Sequence, residues 1–71
     1  MHFTNKLKEI RAVRGISQLE LSRLTRIAPS NISSLENGKQ FPYPGWRKRI
    51  AKALEIPEIE IFQGVNDNAS R

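Results

Sequence analysis

Ser30, Ser34 and Asn37 recur at i, i+4 and i+7, with Asn31 beside them. At helical spacing these residues face away from Ile32 and Leu35. A helix face turned to water usually carries Glu and Lys, whereas this one is short, polar and uncharged. Small hydrogen-bonding side chains permit close approach to another surface, and base edges accept such groups. Basic residues flank the stretch, Arg26 before it and Lys39 after it, which separates it from a plain polar surface. Catalysis has far less to work with. There is one histidine, His2, near the start of the chain, no cysteine, and no pair of carboxylates in a plausible cleft. The residue types therefore argue against an enzyme, and they exclude a disulfide framework or a thiolate metal site.

The elements that position this face are legible on either side of it. Ser17-x-x-Glu20 has the form of a capping box and opens a helix in which Leu21 and Leu24 supply an apolar stripe. The stripe fades at Thr25-Arg26. Pro29 suits the first turn of a second helix, where its missing N–H would be unpaired anyway. Ile32 and Leu35 mark that helix's buried side, and Asn37-Gly38 its end. Two helices over about residues 17–36, the second at about 29–37, with so short a connection must cross steeply, as in a helix-turn-helix.

A preceding helix runs from a Thr4 or Asn5 cap to about Arg14, with Gly15 as its stop. Leu7, Ile10, Arg11 and Arg14 share one face, which places Arg11 among apolar residues. Arginine is rarely buried without a partner. Glu36, four residues after Ile32 and next to Leu35, also points to the core, so the pattern predicts an Arg11–Glu36 ion pair, at least partly buried. The alternative is an Arg11 head reaching into water. A buried pair predicts a loss of about 3–5 kcal/mol when one partner is removed, and an exposed pair about 0–1 kcal/mol. Ile16 is expected under the corner between the first two helices, and Gln18 in a first turn with its amide directed outward.

The loop 38–44, GKQFPYP, offers Lys39 and Tyr43 as phosphate ligands and Phe41 for packing. Pro44 begins a further helix with Trp46, Ile50, Ala53 and Leu54 inward and Lys48, Arg49 and Lys52 outward, Arg47 lying near its start. Ile56-Pro57 breaks the chain. A short last helix over 58–62 is expected to bury Ile59 and Phe62. The predicted domain spans 1–64, and residues 65–71 read as a disordered polar tail.

Charge narrows the partner. The 71 residues carry a net charge of +5 with an isoelectric point near 10.3. Residues 1–40 hold seven Lys or Arg against three Glu, and residues 41–55 hold four against one, whereas residues 56–71 are mildly acidic. A basic body suits a polyanion, nucleic acid first and an anionic membrane second. A membrane surface is the weaker choice, because no helix pairs a broad apolar face with a basic one free of the core. No apolar run approaches the roughly 20 residues of a membrane span. The basic start, MHFTNKLKE, lacks the apolar stretch of a signal peptide, so a cytoplasmic location is expected.

Over about residues 3–64 the chain resembles the lambdoid phage repressor and Cro family of DNA-binding domains, also called the xenobiotic response element family. The resemblance rests on Leu7-x-x-Ile10-Arg11-x-x-Arg14-Gly15, Ser17-Gln18-x-Glu20-Leu21, Ile32-Ser33-x-Leu35-Glu36-Asn37-Gly38-Lys39 and Ile50-Ala51-x-Ala53-Leu54. It implies an all-α, compact five-helix, lambda-repressor-like fold whose third helix lies in the major groove of double-stranded DNA. Pro29, Ser30, Asn31 and Ser34 then match the base-facing positions. Gln18 matches a residue that holds a phosphate and braces the recognition helix. Asn37 and Lys39 match phosphate contacts, and Arg11 and Glu36 a family ion pair. The resemblance also implies a homodimer on a pseudo-palindromic operator, a transcriptional regulator of repressor type, and no cofactor or metal.

Several positions depart from the family pattern. Arg26 stands where the turn usually has Gly. A left-handed residue with a side chain costs about 1–2 kcal/mol, so a locally different turn is expected, with Arg26 able to reach a phosphate. Ser22 replaces a small Ala at the helix crossing, and Ala28 replaces the usual Ser or Thr cap. Pro29 has no side-chain donor, which leaves Asn31 as the candidate for a bidentate adenine contact. The 38–44 loop departs too, with an unusual Pro-Tyr-Pro that bears on the phosphate contacts expected from Tyr43 and Arg47. The alternative function is a protein-interaction module, such as an antitoxin or a partner-sequestered regulator, for which exposed Leu19 and Leu24 would supply the surface.

Overall fold

In a computed structural model that describes residues 5–63, the capping pattern at Ser17 opens a helix. Its Oγ accepts the Glu20 N–H at 3.0 Å, satisfying one of the otherwise unpaired first-turn donors. Five helices follow one another: α1 Leu7–Val13, α2 Gln18–Thr25, α3 Pro29–Glu36, α4 Pro44–Leu54 and α5 Glu58–Ile61. Among the described residues there is no strand, and the fold is all-α. No described helix is long and apolar enough to cross a membrane. The Thr4 alternative for the first cap and the tail at 65–71 lie outside the described residues.

Asn5 takes the capping role at α1. Its Oδ1 accepts the Leu7 N–H at 2.9 Å, and its Nδ2 donates to the Leu35 carbonyl at 2.8 Å. One side chain therefore both starts α1 and ties it to the end of α3. Helix α1 stops at Gly15, whose φ of 70° is the left-handed conformation that glycine adopts without a Cβ clash. Gly38 does the same after α3 at φ 73°. There the Lys39 N–H reaches back to the Ser34 carbonyl at 2.9 Å and closes the helix end.

Helix α2 is the centre of the packing, lying against both α3 and α4, while α1 packs on α3 and α5 on α4. The Lys6 N–H donates to the Ile61 carbonyl at 2.8 Å, fixing the end of α5 to the start of α1. Leu7, Leu21, Ile27, Ile32, Leu35, Ile50, Leu54, Ile61 and Phe62 form one continuous core, with Ile10, Ile16, Trp46, Ala51, Ala53 and Ile56 packed against it. Burial of each large apolar side chain contributes about 1.5–3 kcal/mol.

Three expectations need correction. Leu24 is not part of the buried stripe of α2: it is 56% exposed, and Ser22 and Thr25 are buried with Leu21 instead. These two hydroxyls sit in the core because both are satisfied locally. Ser22 Oγ donates to the Ile27 carbonyl, and Thr25 Oγ1 donates to the Leu21 carbonyl at 2.8 Å while accepting the Ile27 N–H at 3.3 Å. In α5, Ile61 rather than Ile59 joins Phe62 in the core, and Ile59 is exposed. A four-residue helix after a proline has too few turns for spacing to fix its buried side. The turn between α2 and α3 is not locally different: Arg26 adopts the left-handed conformation, φ 61° and ψ 31°, that Gly would take there. The Ser22 and Thr25 bonds to Ile27 on its far side hold it in place.

Candidate nucleic-acid interface

Helix α3 begins at Pro29 in its first turn, with Ala28 as an N-cap that makes no side-chain bond. The Asn31 and Ile32 N–H groups both donate to the Ala28 carbonyl, at 2.9 and 3.0 Å, and Pro29 has no N–H to satisfy. Ile32 and Leu35 are fully buried, which fixes the rotation of the helix and turns the other side out. Pro29, Ser30 and Asn37 are exposed, and Asn31 and Ser34 half-buried, as the spacing requires. None of the side chains of Ser30, Asn31, Ser34 or Asn37 has a hydrogen-bond partner among the described residues, so their donors and acceptors are uncommitted. Lys39 follows just beyond the helix end and is exposed.

The base of α3 is locked from the other side. Arg11 Nε donates to Glu36 Oε2, and Nη2 to Oε1 at 3.2 Å, so guanidinium and carboxylate meet fork to fork. A further N–H of Arg11 donates to the Ile16 carbonyl at 2.8 Å, and Gln18 Nε2 donates to Glu36 Oε1 at 2.9 Å. The Glu36 side chain is 2% exposed and that of Arg11 15%, so the ion pair is largely withdrawn from water. The hydrogen bond to Glu36 raises the Arg11 pKa above the ordinary guanidinium range; burial opposes this, and the Glu36 charge adds to it. A cation whose pKa is raised on folding supplies its stabilisation fully below the unfolded value and loses it only above. Arg11 thus keeps its own charge at any pH short of strong alkali. The outward-directed Gln18 of the sequence reading turns instead toward Glu36, bracing α2 against α3 from the first turn of α2.

The loop after α3 is held by a second arginine. Arg47 is 6% exposed; one N–H donates to the Pro42 carbonyl, and Nε lies 3.3 Å from Glu58 Oε1. This corrects its assignment as a phosphate ligand, because the guanidinium points into the protein and is occupied there. The sequence sets Arg47 beside Tyr43 as a phosphate contact; its partners, a loop carbonyl and a carboxylate on α5, are not adjacent in sequence. Tyr43 caps α4 from outside and is 53% exposed, with its ring edge-on to Phe41 at 5.1 Å and to Trp46 at 5.7 Å. The loop thus presents Lys39 and Tyr43 from a backbone fixed by Arg47 and an aromatic ladder.

Arg26 stands in the turn just before α3 and is exposed. It borders a cleft between α2 and α4 together with Leu24, Arg49, Lys52 and Ala53. Asn5, expected from the sequence only as a cap of α1, is also a positioning residue, because its Nδ2 bond to the Leu35 carbonyl ties α1 to the end of α3.

A steep pair of short helices, a buried brace beneath the second, and a polar uncommitted face on its outer side define a helix-turn-helix domain. The chain belongs to the helix-turn-helix domain family, which it matches over residues 4–67, and its fold is the lambda-repressor-like fold of Cro- and repressor-like regulators. Over 56 residues it is 34% identical to the HTH-type transcriptional repressor RghR of Bacillus subtilis (strain 168), and 34% identical over 56 residues to the regulator RghRB of the same organism. Each match covers 78% of this chain but only 42% and 40% of those proteins, so the chain spans less than half the length of the curated relatives it matches. Among solved structures it is similar to the restriction-modification controller protein C.AhdI from Aeromonas hydrophila, at 29% identity and a TM-score of 0.75, covering 78% of this chain and 83% of that one. The clp gene regulator ClgR from C. glutamicum is similar at 27% identity and a TM-score of 0.70, covering 73% and 68%.

Proposed function

We propose that this chain binds double-stranded DNA sequence-specifically and acts as a transcriptional regulator of repressor type. The outer face of α3 carries the proposal: Ser30, Asn31, Ser34 and Asn37 are small, polar, uncharged and without partners in the protein, on a helix whose opposite side is locked by Glu36. Placed in the major groove, Asn31 reads an adenine edge, Ser30 and Ser34 make adaptable contacts, and Pro29 touches a thymine methyl. Gln18, whose second amide N–H is not used by Glu36, contacts a phosphate at one end of α3, while Asn37, Lys39 and Tyr43 contact the backbone at the other. One copy reads a half-site, so two copies about one helical turn apart would read a pseudo-palindromic operator as a homodimer. Repression then follows from occupying a promoter. Kinship with a named repressor supports the same direction.

Selection of duplexes from random DNA, followed by binding of the winners at two salt concentrations, tests this. The expected outcome is an enriched two-fold symmetric motif whose affinity falls with salt, by a slope of about 0.9 per phosphate contacted. Salt-sensitive binding with no enriched motif would remove sequence reading from α3.

A further inference from the structure

The cleft between the C-terminal halves of α2 and α4 plays no part in the proposed DNA contacts. Leu24, Thr25, Arg26, Arg49, Lys52 and Ala53 line its space of about 430 Å³. Three of these are cations, and no carboxylate of the described residues pairs with any of them. Arg49 is pre-oriented: its Nη1 donates to the Thr25 carbonyl at 3.1 Å, which caps the C-terminus of α2 and holds the guanidinium at the rim. Arg26 lines the cleft from its left-handed position at the end of α2, and Lys52 stands three residues after Arg49 on the same side of α4. Between them Leu24, 56% exposed, and Ala53 form an apolar wall. The cleft matches ligand pockets in size and is much larger than a lone ion needs. A second cleft, at Lys6, Glu9, Ile10, Val13, Arg14 and Ile56, contains its own carboxylate and shows nothing of what would cover it.

We propose that the α2–α4 cleft docks an acidic segment of a protein partner, with carboxylates on Arg26, Arg49 and Lys52 and one apolar side chain against Leu24 and Ala53. Charge complementarity selects the carboxylates, and the planar Arg49 fork favours them over a point contact. The apolar wall selects a protein over nucleic acid, because a phosphodiester backbone offers nothing to cover Leu24. Position agrees: α2 packs on both α3 and α4, and none of the residues that line the cleft belongs to α3. A partner seated there leaves Ser30, Asn31 and Ser34 uncovered by the residues it touches, and would be brought to wherever α3 binds.

The test is selection of a phage-displayed random dodecapeptide library on the immobilised full chain. Winners are then titrated against the unsubstituted chain and against Lys52→Glu and Leu24→Ser. Both residues are exposed and unbonded, so neither change threatens folding, and DNA affinity of each variant is measured alongside. The expected result is enrichment of Asp and Glu around one Leu, Ile or Phe, with affinity falling roughly tenfold or more in Lys52→Glu through like-charge repulsion and also falling in Leu24→Ser. The amide resonances of Leu24, Arg26, Arg49, Lys52 and Ala53 shift on binding. Winners indifferent to Lys52→Glu, or no winners at all, overturn the proposal. It is equally overturned if an oligothymidylate probe moves the same amides, since the cleft is then a phosphodiester surface. Because α3 is untouched by either substitution, failure of DNA binding in the unsubstituted chain would count against the DNA reading alone.

Discussion

Arg11 and Arg47 brace adjoining parts of the molecule, α3 and the loop after it, in different surroundings. Arg11 closes on a carboxylate whose side chain is 2% exposed; the carboxylate facing Arg47 is 36% exposed. Arg11 divides its donors between both oxygens of Glu36 and the Ile16 carbonyl, and Gln18 adds a third donor to the same carboxylate. Arg47 donates to the carbonyl of Pro42, and its bond to Glu58 is longer than those of Arg11 to Glu36, at 3.3 Å. The first brace is a charge pair that neither member can leave without stranding the other. The second is a hydrogen-bonded anchor to which the ionic component adds little, because water screens Glu58. Helix α3 is thus fixed more firmly than the loop that follows it.

Glu36→Ala tests the stronger side and should have the largest effect. It leaves Arg11 and Gln18 without their acceptor, at a loss of about 3–5 kcal/mol in urea unfolding. A chain of this length has a total stability of roughly 4–11 kcal/mol, so the variant is expected to be largely or marginally unfolded. Glu58→Ala, the matching change on the other brace, should cost about 0–1 kcal/mol. Equal losses would abolish the contrast between the braces. Arg47→Ala falls between them, at about 1–3 kcal/mol, because it leaves a buried carbonyl unsatisfied.

DNA binding gives a second readout of the same contrast. Asn31→Ala should lose about 1–3 kcal/mol of discrimination at one base position and little at others. Lys39→Ala should weaken all sequences alike and flatten the salt dependence by about one unit. Arg47→Ala, by loosening the loop that carries Lys39 and Tyr43, should resemble Lys39→Ala rather than Asn31→Ala when binding is measured across a panel of operator variants. An altered base preference in Arg47→Ala would mean that the loop brace also positions α3.

What could be read in the sequence followed the length of the elements. In α3 the core side, Ile32 and Leu35, recurs over two turns, so the outer face of Ser30, Ser34 and Asn37 was legible from spacing alone. The partnership of Arg11 with Glu36 was legible because each sits among apolar residues of its own helix, leaving a buried charge that needed a partner. Arg47 gave no such signal. It lies in a run of three basic residues, and what buries it is a loop carbonyl and a distant carboxylate. Ile59 and Ile61 could not be told apart in so short a helix. Leu24 fitted the periodicity of α2 but lost its place to Thr25, whose hydroxyl is satisfied within its own helix and so carries no burial penalty. Arg26 was recognised as a departure, but its conformation was not foreseen, because propensity disfavours what the bonds of Ser22 and Thr25 to Ile27 enforce.

Both halves store the same backbone strain. Arg26 after α2 and Glu55 after α4 are left-handed at φ 61° and φ 58°. Glycine in place of either removes a penalty of about 1–2 kcal/mol but makes the unfolded chain more flexible, which takes back about 0.4–1 kcal/mol. Arg26→Gly and Glu55→Gly should therefore each stabilise by roughly 0.5–1 kcal/mol, visible as a higher urea midpoint with an unchanged slope. The two sites differ in what the backbone beyond them is tied to. The turn at Arg26 is held by buried bonds to Ile27 and leads into braced α3, whereas Glu55 leads through Pro57 into the short, more open α5. An equal gain at both sites would show that the strain is local to each residue. A gain at Glu55 only would show that the Arg26 side chain contributes to the turn enough to offset its own conformation.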